Sequence, residues 1–304
     1  MDNSHLQSEI RALKKERNAV ILAHNYQRPE VQDVADYLGD SYGLSREAAK
    51  TDADVIVFCG VDFMAETAKI LNPEKTVLIP AVEALCPMAM LLTSDDIVKA
   101  RKQYPGAEVV LYINTHASEK ALCDCVCTSG NAVKVVNAMK SDTIIFGPDL
   151  NLAHYVRKRT GKRIVPVPEK GVCPTHHQIT LKDVEQARKK HPDAKLVVHP
   201  EVPAEVQDVA DHIASTEGII EYCKKSPGKE FIIGTEKGIL YRMHKEIPGK
   251  KFYPASDMAI CPTMKTITLE KVLSSLKNMQ NRVEVPQDTA IKARKSIERM
   301  LEIT

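Results

Sequence analysis

TVLIPAVEALCP, residues 76–87, is a short apolar run that closes on a Cys-Pro dipeptide, and the arrangement returns twice. RIVPVPEKGVCP occupies 163–174 and KFYPASDMAICP occupies 251–262, so Cys86, Cys173 and Cys261 stand 87 and 88 residues apart. Working outward from each copy, two more apolar runs come before it. One set lies at 55–58, 143–146 and 231–234, the other at 20–24, 109–113 and 196–199. Runs that are apolar throughout, without alternation, read as strands covered on both faces, the habit of parallel sheets. Self-similarity at a fixed period has to be read before the fold. Here it says that one unit is written three times.

The intervals read as helices. VQDVADYL at 31–38 and VQDVAD at 206–211 are nearly the same sequence and carry a helical pattern. Seven residues beyond each cysteine stands a threonine, Thr93, Thr180 or Thr268. Each is an N-cap for a helix, predicted at 95–103, 181–190 and 269–277. Asp96 and Asp183, three residues on, suit a capping box. The reading is an α/β protein of three pseudo-symmetric three-layer αβα domains with small parallel sheets, related by a pseudo-threefold axis. The domains are set at 1–88, 89–176 and 177–264, with a helical segment at 265–304 that packs back on them.

Composition removes several functions. Forty-two basic residues balance 40 acidic ones across 304 residues, which gives no sign of a nucleic-acid or membrane partner. Trp is absent and aromatics make up 5%, poor material for stacking bases. No apolar run approaches the ~20 residues that span a bilayer. The first residues form an amphipathic helix without the apolar core of a signal peptide. A cytoplasmic protein is expected, and there eight cysteines favour metal or catalysis over disulfides.

A cysteine after a strand and before Pro sits where parallel sheets place their sites, beside the start of a helix. Three buried inert thiols, a zinc site completed by His176 or His177, and a cubane iron–sulfur cluster with one open iron are the competing readings. The denser Cys123-Asp124-Cys125-Val126-Cys127 run is a decoy. The repeat aligns residues 123 and 124 with Ala35 and Asp36 and with Ala210 and Asp211, so these cysteines are expected at packing positions of a helix. Cys59 and Cys223 read as core.

The ends of the first strands carry side chains that no core needs. His24, Asn25 and Tyr26 close the first copy, Tyr112 and Asn114 the second, His199 and Glu201 the third. They offer acid–base groups and neutral carboxylate holders. A second ring consists of hydroxyls before helices: Ser41, then Thr128 and Ser129, then Ser215 and Thr216. Such hydroxyls serve as N-caps or as an anion site, and the two roles are compatible.

With these residues in place the chain resembles the quinolinate synthase A family from about Ala19 to Leu276. The segments that carry the likeness are ILAHNYQRPEVQDVADYLGDS (21–41), VDFMAETAKILNPEKTVLIP (61–80), YINTHASEKA (112–121), CTSGNAVKVV (127–136), HPEVPAEVQDVAD (199–211), GTEKGILYRMHKE (234–246) and AICPTMKTITLEKVL (259–273). The resemblance implies a [4Fe-4S] cluster on Cys86, Cys173 and Cys261. It implies condensation of iminoaspartate with dihydroxyacetone phosphate, with loss of phosphate and water, in NAD biosynthesis. Glu201, Tyr26, His24 and Tyr112 are then the catalytic candidates. Ser41, Asn114, Ser129, His176, His199, Ser215 and Thr216 join them in binding substrate. An aspartate oxidase or dehydrogenase would supply the imine, and the protein is expected as a monomer or weak homodimer. Leu85 and Pro87 stand where many members carry Gly and Ser, which marks the first ligand as the least typical. An iron–sulfur sensor is the alternative of another class, and it has no use for His, Tyr and Glu facing an open iron.

Overall fold

In the computed structural model residues 3–303 are described; the expected first and last segments extend past them, to residues 1, 2 and 304. The opening elements are α1 (Asn3–Glu16), β1 (Ala19–His24), α2 (Pro29–Gln32), β2 (Tyr37–Gly39), α3 (Ser41–Lys50), β3 (Val55–Cys59), α4 (Asp62–Leu71) and β4 (Thr76–Leu78). The same succession follows as α5 (Ser94–Gln103), β5 (Glu108–Tyr112), α6 (Ala117–Lys120), β6 (Cys125–Cys127), α7 (Ala132–Ala138), β7 (Thr143–Gly147), α8 (Leu150–Arg157) and β8 (Arg163–Pro166). It comes again with a short α9 (Pro174–His177) ahead of α10 (Leu181–Lys190), then β9 (Lys195–Val198), α11 (Ala204–Asp208), β10 (His212–Ile213), α12 (Thr216–Lys225), β11 (Glu230–Gly234), α13 (Ile239–Glu246) and β12 (Lys251–Pro254). Helices α14 (Leu269–Asn278) and α15 (Gln287–Ile303) close the chain.

Three separate four-stranded sheets result, ordered β2-β1-β3-β4, β6-β5-β7-β8 and β10-β9-β11-β12, and every pairing within them is parallel. The central strand β3 is buried from end to end, and β7 and β11 are buried after their first residues, Thr143 and Glu230, as their apolar runs require. Thr93 and Thr180 form complete capping boxes with Asp96 and Asp183, and Thr268 accepts the Lys271 N–H. These caps start α5, α10 and α14 within a residue of the sequence expectation.

One element type departs from that expectation. The helical reading of 31–38 and 206–211 fails after one turn, and Cys125 and Cys127 belong to a strand, β6, rather than to a helix. The cause is a repeated aspartate. Asp36, Asp124 and Asp211 each donate the backbone N–H, at 2.9 Å, to the carbonyl of Ile21, Val109 or Leu196. The same three carboxylates accept the N–H of those residues at 2.8, 2.7 and 2.7 Å. That double clamp stops the helix and draws the chain alongside the first strand, so each sheet gains a short fourth strand. Lys14, Arg101 and Arg188 pair with the three clamps from the preceding helices.

The final helix packs on α6 and β6, as α1 packs on α14. Ser296 donates to the Lys120 carbonyl at 3.0 Å, and Arg299 reaches the Asp124 carbonyl and Glu108 at 3.0 and 3.1 Å. Cys125 and Cys127 are fully buried under this cover, in keeping with a packing role. Cys59 and Cys223 are likewise buried.

Candidate active site

The carboxyl ends of β1, β5 and β9 meet at one cavity of about 130 Å³. His24, Tyr26, Tyr112, Asn114, His199 and Glu201 all line it. Loops diverge at the carboxyl ends of parallel strands, which leaves room there for a site. In the first and third sheets the turn is the same: the N–H of Tyr26 donates to Nδ1 of His24 at 3.2 Å, and that of Glu201 to Nδ1 of His199 at 3.3 Å. Each Nδ1 is therefore an acceptor, and the proton sits on Nε2. Burial agrees with that neutral tautomer, since it lowers His24 and His199 to about 3. His199 Nε2 then donates to Ser129 Oγ at 3.0 Å.

Glu201 is the centre of a hydrogen-bond chain. Tyr112 donates its hydroxyl to Oε1 at 2.6 Å, and His176 Nδ1 lies 2.7 Å from Oε2. On its far side His176 Nε2 meets Thr235 Oγ1 at 2.7 Å and the Tyr26 hydroxyl at 3.3 Å, and Tyr26 and Thr235 are 2.5 Å apart. Burial works against a charged Glu201, but His176, His199 and the two hydrogen bonds outweigh it and hold the carboxyl well below its ordinary range. Burial drives the Tyr26 and Tyr112 phenols well above theirs, and the Glu201 charge adds to this. The chamber thus contains an ionised carboxylate, two neutral imidazoles in His24 and His199, and protonated phenols.

The cysteines form another wall. Cys86, Cys173 and Cys261 all line the same cavity, and all eight cysteines are free of disulfides. Only Cys173 precedes an α-helix directly; Cys86 and Cys261 lead into 3₁₀ turns. A shared anchor fixes all three. The Cys86 N–H donates to Asp62 at 3.0 Å, Cys173 to Asp149 at 3.0 Å and Cys261 to Glu236 at 3.2 Å. These acids went unread in the sequence, although a signal was there. Gly60-Val61-Asp62, Gly147-Pro148-Asp149 and Gly234-Thr235-Glu236 recur at 87-residue steps, one turn beyond the central strand. In the second copy the glycine is obligatory, because a Cβ on Gly147 would meet the Val167 carbonyl at 1.8 Å. Leu85 is 41% exposed and faces away, so the first cysteine keeps the same anchor despite its unusual flank.

These residues suit an iron–sulfur cluster. Among the described residues, the one set of three donors lying within 4.8 Å of one another is Cys173, His176 and Glu201. Three free thiols on one wall of the chamber, each with its backbone N–H held by an acid, are the donor set of a cluster that keeps one iron open. An ion on Cys173, His176 and Glu201 would need the Nδ1 and carboxylate oxygen that now share a proton, so it would dismantle the acid–base chain.

The hydroxyls divide. Ser41, Ser129 and Thr216 line the chamber. Ser215 does not; it caps α12 by accepting the Gly218 N–H at 3.3 Å and faces a neighbouring cavity. Thr216 is held by Asn25, whose Nδ2 donates to Oγ1 at 2.9 Å, and Arg242 holds Asn25 in turn at 2.8 Å. Thr128 lines the chamber with a buried Oγ1 that has no partner among the described residues, as does Asn114 with its Oδ1. Unmade hydrogen bonds on buried groups are costly, and a ligand that completes them is favoured.

Comparison with known proteins gives the chain a family. The family model described as quinolinate synthetase A protein matches residues 8–302. Quinolinate synthase of Pyrococcus horikoshii is 58% identical over 299 residues, covering 98% of this chain and 99% of the relative. That of Thermococcus kodakarensis is 56% identical over 304 residues, all of both chains. That of Methanosarcina barkeri is 52% identical over 303 residues, covering 100% of this chain and 99% of the relative. A site of this composition and likeness over the full length together lead to one conclusion: the chain is an enzyme that belongs to the quinolinate synthase family.

Proposed function

We propose that the chain condenses iminoaspartate with dihydroxyacetone phosphate to give quinolinate, with loss of phosphate and water, in de novo NAD biosynthesis. The observation that carries this reading is the chamber itself. It joins a wall of three cysteines to a chain of proton carriers and a row of hydroxyls. Cys86, Cys173 and Cys261 would hold a [4Fe-4S] cluster, which supplies a Lewis acid for a departing hydroxyl when bound.

The chain's own residues do the rest. Glu201, ionised between Tyr112 and His176, is the base for enolisation. The proton it takes can pass through His176 to Thr235 and the Tyr26 hydroxyl, since each step is a hydrogen bond. Tyr26 delivers protons to the sugar fragment, and the neutral His24, protonated on Nε2, donates a hydrogen bond to it. Asn114, His199 and His176 hold carboxylates, and Tyr112 orients the intermediate. Ser41, Ser129 and Thr216 grip phosphate or carboxylate, with the Ser215 cap supporting the Thr216 turn. An aspartate oxidase or dehydrogenase in the cytoplasm would supply the iminoaspartate.

An anaerobic assay of the brown protein with both substrates tests the reaction. Quinolinate should accumulate in step with the cluster content. A fully loaded protein that forms none would overturn the reading.

A further inference from the structure

A second cavity, of about 490 Å³, adjoins the reaction chamber. The segments where β2, β6 and β10 lead into α3, α7 and α12 form the partition between them. Ser41, Thr128, Ser129 and Thr216 face the reaction chamber; Tyr42, Gly43, Gly130, Asn131 and Ser215 face the second cavity; Asp40 lines both. Neighbouring residues of one segment thus look into different rooms.

The second cavity is built for negative charge. Arg46 and Lys134 line it, both are exposed, and among the described residues neither has an acidic partner. Arg46 lies over the Tyr42 ring at 5.7 Å. The two carboxylates in the lining are already engaged. Glu217 holds Arg242 through hydrogen bonds of 2.8 and 2.9 Å, and Asp40 accepts the Gly43 N–H at 2.8 Å. Asn131, at the edge of the cavity, is held in place by its Oδ1, which accepts the Thr128 N–H at 2.6 Å. Two cations without acidic partners in one cavity, beside carboxylates already engaged, are a place for an oxyanion.

We propose that this cavity is an antechamber that binds phosphate or carboxylate anions on Arg46 and Lys134 before they pass the hydroxyl partition into the reaction chamber. The identity of those anions as substrates rests on the proposed reaction; the anion site does not. Cations at the mouth of a low-dielectric cleft raise the local concentration of an anion and its rate of entry, and salt screens the effect.

Two measurements on the cluster-loaded protein test this. In steady state, Arg46→Gln/Lys134→Gln should lose about tenfold in kcat/KM for dihydroxyacetone phosphate at low ionic strength, with a flattened salt dependence and kcat within about twofold. Unchanged kcat/KM and an unchanged salt slope overturn the proposal. Equilibrium dialysis with inorganic phosphate needs no turnover. The double variant should bind one phosphate fewer than the parent; equal binding in the two overturns the site. A parent that makes no quinolinate yet loses a phosphate site in the double variant would sink the proposed reaction and leave the antechamber standing.

Discussion

Two groups of three cysteines occupy different kinds of place in this molecule. Cys86, Cys173 and Cys261 are far apart in sequence, follow the last strand of each sheet, and line one chamber. Cys123, Cys125 and Cys127 are adjacent in sequence and lie in or beside β6, an edge strand packed against α15. Local density of cysteine suggests the second group as the metal site. Position relative to a strand's carboxyl end identifies the first. Burial pushes the Cys86 and Cys173 thiols up, just as it pushes Cys123 to about 11 and Cys125 to about 12. What separates them is the surroundings. The first group faces His176, Glu201 and a cavity, whereas the second faces packed side chains.

The difference predicts that changes in the chamber alter function and spare stability, whereas changes around β6 do the reverse. The largest effect falls on Glu201. Glu201→Gln keeps the shape and the Tyr112 contact but removes the base, so turnover should fall by about 10²- to 10⁴-fold with iron content unchanged. Near-normal turnover would remove Glu201 from that role.

Lys120, beside the second group, gives the next effect. It occupies the position of Gln32 and Gln207 in the other two copies, where the amide donates to nearby carbonyls. Lys120 donates to the Thr115 carbonyl, is wholly buried, and is lowered by that burial to about 8. The unfolded chain titrates this amine near 10.4. Between pH 8 and 10.4 the unfolded state therefore binds more protons, and the penalty of burying the charge, full below pH 8, is relieved as pH rises. Relative to Lys120→Gln, the parent should gain about 3 kcal/mol between pH 7 and pH 10.5, as read by urea unfolding of both proteins at both values. Parallel stability profiles would show that Lys120 does not titrate in that window.

The smallest effect is on the same side. Ser296→Ala removes the donor to the Lys120 carbonyl and should cost about 1 kcal/mol, seen as a lower urea midpoint with full activity. Lost activity at unchanged stability would break the division between the two regions.

Much of the fold was legible in the sequence because its central strands are apolar runs and three of its helices, α5, α10 and α14, start on threonine caps. The edge strands β2, β6 and β10 were not legible. Two or three residues carry no periodicity, and the helix before each is ended by a clamp to a distant backbone rather than by Gly or Pro. The chamber residues at strand ends were legible because no core requires them. Asp62, Asp149 and Glu236 were missed because a single acid after a strand looks like a surface residue, and only the backbone N–H of a cysteine some 24 residues on reveals its work. Arg242 acts on Thr216 through Asn25, at a remove that spacing does not encode.

Iron and acid-labile sulfide, counted per chain in anaerobically purified single variants, test the central claim most directly. Cys86→Ser, Cys173→Ser and Cys261→Ser should each lose the cluster and its brown colour, while Cys123→Ser, Cys125→Ser and Cys127→Ser should retain the iron and sulfide of the parent. Loss of the cluster in Cys125→Ser with retention in Cys173→Ser would contradict the account.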